Sequence, residues 1–139
     1  MTVKSEQAKE KVITAVKALD EKKAIDICAF EISKLSSISD FIVCATATSS
    51  THIRALADNV EKRLTEQGTE PHHTEGKATG WFLLDYTDFL VNIFTKDARE
   101  FYNLEKLWAD GEELDLNEVL KDDKDGKDGK DGKDGTKGE

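Results

Sequence analysis

Asp85 and Asp88 stand three residues apart at the polar interruption of an otherwise apolar run, G-W-F-L-L-D-Y-T-D-F-L-V-N-I-F, from Gly80 to Phe94. A carboxylate such as Asp85 can act as a general base or hold magnesium. Magnesium chemistry on nucleotides also needs a glycine-rich turn to cradle phosphate, and the chain has none. His72 and His73 are adjacent in a polar stretch, where neighbouring side chains of an extended chain diverge to opposite faces and cannot share one metal. His52 has no second ligand pair to join. The one cluster of potential nucleophiles, T-S-S-T at Thr48 to Thr51, has the composition of a helix cap. Cys28 and Cys44 each lie inside an apolar, strand-like run rather than at metal-ligand spacing, and read as buried free thiols. No catalytic constellation assembles from these residue types, so the expectation is a protein that is not an enzyme and needs no cofactor or metal.

The elements that carry these residues point elsewhere. Along the strand that begins at Trp81, Trp81, Leu83 and Asp85 share one face, and Phe82, Leu84 and Tyr86 share the other. Large apolar groups on both faces mean that the sheet is covered on both sides or that one side is kept for a partner. A binding surface is the expectation.

Upstream, Ala8, Val12, Ala15, Val16 and Leu19 form one stripe of an amphipathic helix over about Ser5 to Glu21. A strand is expected from Ala24, with Ile25 and Ile27 alternating with Asp26 and Cys28. Asp40 to Ala47 is apolar nearly throughout, as a central strand buried on both faces requires. The polar link between them should tuck Leu35 and Ile38 beneath it. Ser50 offers an N-cap for a second helix whose stripe is Ile53, Leu56, Ala57, Val60 and Leu64, with Gly68 as the C-terminal stop. Pro71 cannot donate to a central ladder, so the segment around it is an edge strand or extended loop. Trp81–Tyr86 and Phe89–Phe94 pair as a hairpin about Tyr86, Thr87 and Asp88. A third helix begins near Thr95 or Lys96, has Asp97 in its first turn, and buries some combination of Phe101, Leu104, Leu107 and Trp108. Arg99 and Tyr102 brace that helix. The sum is an α/β fold, a mixed sheet of about five strands flanked by helices.

The chain of 139 residues carries a net charge of -9, with 37% hydrophobic and 35% charged residues. The segment from Lys121 to Glu139, with glycine at every third position from Gly126 to Gly138, reads as a disordered, charged low-complexity tail following one domain over residues 1–120. Without proline its triplets lack the stiffness of a collagen helix, and Lys121 and Gly132 would fall at the wrong positions of a calcium loop. The tail holds six Lys against six Asp and one Glu, which leaves about -8 on the domain. That acidity argues against direct nucleic-acid binding, where affinity comes from Lys and Arg displacing counterions, and suits a basic protein partner. No signal segment and no apolar run near eighteen residues is present, so a cytoplasmic protein without a membrane span is expected.

Four stretches in order, S-I-S-D-F-I-V-C-A-T-A-T-S-S-T-H-I-R-A-L-A-D, then E-G at Glu75-Gly76, then G-W-F-L-L-D-Y-T-D and A-R-E-F-Y-N-L-E-K-L-W, resemble the Iojap or ribosomal silencing factor family over roughly Ala8 to Trp108. The chain departs from that pattern at Thr87, where the family usually has Gly, at Asn92, where it usually has His, and at Lys96, where Pro is common. The resemblance implies a nucleotidyltransferase-like sheet without its catalytic signature. It also implies a translational repressor that binds the large ribosomal subunit at universal large-subunit protein fourteen, blocking small-subunit joining when nutrients are scarce or growth stops. On this reading Trp81 and Phe82 are apolar anchors, Tyr86 is an aromatic contact with a polar tip, and Asp85 and Asp88 accept from Lys or Arg of the partner. Trp81 and Phe82 lie on opposite faces of one strand, so one of them is expected to be core. Asp40, Ser49, Ser50 and Glu75 also match family positions. The alternatives are a nucleotidyltransferase-like enzyme using Asp85, and a module that forms a homodimer through the same apolar face.

Overall fold

A computed structural model describes residues 3–35, 39–77, 80–117 and 119–120. Helix α1 spans Val3–Glu21, strand β1 Ile25–Glu31, β2 Phe41–Ala47, α2 Ser50–Glu66, β3 His73–Lys77, β4 Trp81–Asp85, β5 Phe89–Thr95, α3 Lys96–Tyr102, α4 Leu104–Leu107 and β6 Glu112–Glu113. The strands form one mixed sheet in the order β3-β4-β5-β2-β1-β6. Among the described residues only β2 and β5 run parallel; the other neighbours are antiparallel. Among the described residues six strands replace the expected five, because β6 is two glutamates paired with Phe30 and Glu31, too short and too polar to leave a periodic signal. The expected charged tail from Lys121 to Glu139 lies outside the described residues.

The apolar stripes of α1 and α2 pack on one sheet face. Val12, Val16 and Leu19 from α1 and Leu56, Val60 and Leu64 from α2 are fully buried against Phe41, Val43, Leu84 and Val91. Polar clamps lock the two helices together: Asn59 Nδ2 donates to the Ala18 carbonyl at 2.8 Å, and Arg63 makes a two-pronged contact with Glu21 at 3.0 and 3.1 Å. β2, apolar on both sides as its composition demands, is buried at all seven positions.

The start of α2 is built by polar side chains rather than by the stripe. Ser49, one residue before the expected Ser50, is the N-cap: its backbone is extended and its Oγ accepts from the His52 amide at 3.1 Å. His52 Nδ1 accepts from the Thr48 amide at 2.9 Å, so the ring proton resides on Nε2 and is donated to the Lys22 carbonyl at 2.7 Å. Both ring nitrogens are thereby engaged in holding α2 to the turn after α1. Among the described residues no group of three or more His, Cys, Asp or Glu is placed to hold a metal, and no helix of the described residues is long and apolar enough to cross a membrane.

Three expectations are corrected. Leu35 is 46% exposed rather than tucked under its link, and Ile38 lies outside the described residues. The third helix divides at Asn103, whose left-handed backbone (φ 50°) ends α3. Phe101, one of four residues of which some combination is expected in the core, is 80% exposed, while Tyr102 turns inward; consecutive helical residues point about 100° apart, so a helix that seats one exposes the other. The side chains of Leu104 and Leu107 lie outside the description, and Trp108 is half-buried.

Candidate protein-binding site

The sheet's second face is covered by much less. Cys28, Phe30 and Ile32 of β1 and the segment after it, Ile42 and Cys44 of β2, and Phe94 of β5 lie beneath Ala98 and Tyr102 of α3 and Trp108. The sequence register continues this face onto β4 and β3. Trp81 pairs with Phe94, Leu83 with Asn92, and Asp85 with Leu90; on the outer side His73 pairs with Asp85 and Glu75 with Leu83. Alternation therefore places Trp81, Leu83, Asp85 and Leu90 side by side. All four are only half-buried, beside the exposed His73 and Glu75.

Trp81 is held by the residues around it. Its indole N–H donates to Asn92 Oδ1 at 2.9 Å, and its ring lies 5.3 Å from Phe94 and 4.8 Å from Tyr102. Asn92 is itself buried and reaches the Val43 carbonyl at 3.4 Å. Gly80, immediately before, sits at φ 86°, and a Cβ there would meet Thr95 Oγ1 at 2.6 Å; this close approach brings the start of β4 against the Thr95 cap of α3. A large side chain fixed in this way presents a surface at little further entropic cost on binding.

The helix α3 that leans on Trp81 is braced by Arg99. Its guanidinium donates to Glu105 Oε1 at 2.9 Å, the Asp26 carbonyl at 2.6 Å, Thr46 Oγ1 at 2.8 Å and Cys28 Sγ at 3.3 Å. Asp26 adopts φ 51° at an irregularity in the β1–β2 register, which aims its carbonyl at the arginine. The Arg99 hydrogen bond holds the Glu105 carboxyl below its ordinary range. Cys28 and Cys44 are register partners, free and buried; the Cys44 thiol and then burial push the Cys28 thiol far above the ordinary thiol range, which keeps it protonated and unreactive.

Of the five residues expected to form the site, the structure brings Trp81 and Asp85 onto the open face. Phe82 lies on the opposite one, partly buried against the helix-covered core, with the Arg54 guanidinium carbon 5.8 Å from its ring centroid. Neither Trp81 nor Phe82 is fully core. Tyr86, expected as a surface contact, is 6% exposed: it stacks on Phe89 at 4.8 Å and its hydroxyl, sealed in that core, has no hydrogen-bond partner among the described residues. Asp88 belongs to the hairpin turn, where its carbonyl accepts from Asp40 at 2.9 Å and Phe41 at 3.3 Å. One oxygen of Asp85 is committed to the same turn, accepting from the Thr87 amide at 2.8 Å. Thr87 stands at φ 73°, a left-handed conformation that favours glycine, and Ser39 Oγ donates to its carbonyl at 2.7 Å. Leu83 and Leu90 were missed. The first was available from alternation with Trp81; the second needed the hairpin register that sets Leu90 opposite Asp85.

Residues 5–138 match the family described as "Ribosomal silencing factor during starvation". The chain belongs to the ribosomal silencing factor family. It is 41% identical over 95 residues to ribosomal silencing factor RsfS of Haemophilus influenzae, covering 68% of this chain and 93% of the relative. Against the same-named protein of Halalkalibacterium halodurans it is 38% identical over 107 residues, covering 76% and 92%. A crystal structure of a Chromobacterium violaceum protein superposes with a TM-score of 0.70 at 32% identity, over 73% of this chain and 85% of that one. Membership makes this chain one of a group of ribosome-associated silencing proteins. Asn92 serves as the acceptor for Trp81, and the Thr87 turn is stabilised by Asp85 and Ser39.

Proposed function

We propose that this protein represses translation in the cytoplasm without catalysis, by binding the large ribosomal subunit at universal large-subunit protein fourteen and standing where the small subunit must dock. The observation that carries this reading is the half-covered sheet face, with Trp81, Leu83 and Leu90 beside Glu75 and Asp85. An apolar strip with an acidic border suits a partner that is apolar at its centre and basic at its rim, the usual charge of a ribosomal protein. The domain's charge of about -8 speeds encounter with such a partner and disfavours direct contact with RNA phosphates. Trp81 is the central anchor, and Asp85 an acceptor for Lys or Arg; Asp88 extends the acidic border at the turn. Phe82 and Tyr86 act from behind, packing the other side of the same hairpin. When free, the same apolar strip is available for a homodimer.

The test is co-sedimentation of the purified protein with large subunits, together with a subunit-joining assay. Leu83→Glu should reduce binding at least tenfold and restore joining, with an unchanged circular dichroism spectrum. Undiminished binding by this variant would remove the assignment of the face. Magnesium-dependent nucleotide transfer lost in Asp85→Asn would instead favour an enzyme.

A further inference from the structure

Phe101 is the most exposed large apolar side chain among the described residues, at 80%. A single exposed phenylalanine needs no explanation, but this one is not isolated. Its ring meets Tyr102 edge-on, with centroids 5.0 Å apart and planes at 86°. Tyr102 in turn lies 4.8 Å from Trp81, the central residue of the open sheet face. An aromatic chain thus runs from the buried Phe94 through Trp81 and Tyr102 to a ring that stands in solvent. Asp97, one helical turn before Phe101 and on its side of α3, is exposed; Glu100, Lys96 and Lys106 are exposed as well, and Arg99 is turned inward onto Glu105.

We infer that Phe101 is an outer anchor of the partner surface, and that its occupant is an arginine or lysine side chain of the basic protein partner. The cation would lie over the ring, with Asp97 supplying the countercharge. An aromatic face attracts a guanidinium or ammonium through its quadrupole, and an adjacent carboxylate strengthens the preference for a cation over an apolar side chain. The edge-on contact with Tyr102 links the anchor to Trp81, so the contact surface continues from the sheet around the edge of α3. This inference rests on the function proposed above, and deepens it by naming a second contact and the chemistry it takes.

The experiment measures affinity of the full chain for purified large subunits with Phe101→Ala, Phe101→Leu and Phe101→Tyr beside Leu83→Glu. Because the ring is exposed, none of the three should move the thermal midpoint. Phe101→Ala and Phe101→Leu should each weaken binding about tenfold, and Phe101→Tyr should stay within about twofold of the native chain. Native affinity in Phe101→Leu would overturn the cationic occupant. Native affinity in Phe101→Ala while Leu83→Glu fails to bind would overturn the anchor but leave the proposed function standing; native affinity in both would overturn the anchor and remove the assignment of the sheet face as well. A drop in thermal midpoint parallel to the loss of binding would make Phe101 a structural residue and overturn the inference.

Discussion

The two faces of the sheet are built from the same strands yet closed to different degrees. On one, α1 and α2 provide thirty-six residues of helix, and the core they seal contains Val12, Leu19, Leu56, Leu64 and Leu84 without measurable exposure. On the other, α3 and α4 provide eleven residues, and the cover reaches Phe94 but leaves Trp81, Leu83 and Leu90 half-exposed. The first face spends its apolar surface on stability; the second leaves part of it uncovered, and that part is the surface proposed above for a partner. Even the polar chemistry divides along this line. Asn59, Arg63 and Glu21 tie helix to helix across the closed face, whereas Arg99 pins a short helix to the sheet so that Tyr102 can support Trp81.

The largest difference should appear on truncation. Leu56→Ala on the closed face is expected to cost about 2–5 kcal/mol in denaturant unfolding, while Leu83→Ala on the open face costs under about 1 kcal/mol. Equal losses would mean that the second face is as much a core as the first. A smaller effect concerns the brace. Arg99→Ala should destabilise by about 2 kcal/mol, because it strips charged hydrogen bonds from Glu105, the Asp26 carbonyl and Thr46. The Glu105 carboxyl is depressed in the folded chain, so its stabilisation is present above its unfolded pKa and is lost as pH falls through the depressed folded value. The stability gap between the native chain and Glu105→Gln should therefore narrow on acidification below the carboxylate range. A gap that holds constant with pH would show that Arg99 does not act through this charge.

Smallest of all is Tyr86→Phe on the closed face. Its hydroxyl is buried without a partner among the described residues, so removing it should leave neutral-pH stability unchanged or raise it by up to about 1 kcal/mol. Burial, with Glu61 and Glu70 adding to it, raises the Tyr86 pKa in the folded state. The unfolded chain then ionises first, so the stability of the native chain falls once pH rises past the ordinary tyrosine value, and the Phe variant should lose less over that range. Urea titrations at neutral and alkaline pH measure both limbs. A strong neutral-pH loss in Tyr86→Phe would mean that the hydroxyl does have a partner.

Much of this architecture was legible because its signal is local and periodic. The α2 stripe of Ile53, Leu56, Ala57, Val60 and Leu64 is buried at every position, and the apolar run of β2 marks a strand covered on both sides. The alternation of Trp81, Leu83 and Asp85 already separated them from Phe82 and Leu84 before any partner strand was known. Errors gathered where a residue's fate depends on what lies across the fold. Ser49 rather than Ser50 caps α2 because only its backbone has the extended geometry. Glu112 and Glu113 become a strand because β1 offers them an open edge.

Sequence alone determined the helix stripes, the acidic balance and the family, since each is a property of residue types and their spacing along one chain. Tertiary structure alone decided that Tyr86 is sealed and Phe101 exposed, and that Leu90 stands opposite Asp85 beside Trp81. Those outcomes depend on a three-residue turn that sets the register of β4 and β5, and on a left-handed Asn103 that ends α3 with Tyr102 facing inward. Neither side chain carries in its own type the information about which way its neighbours will turn it.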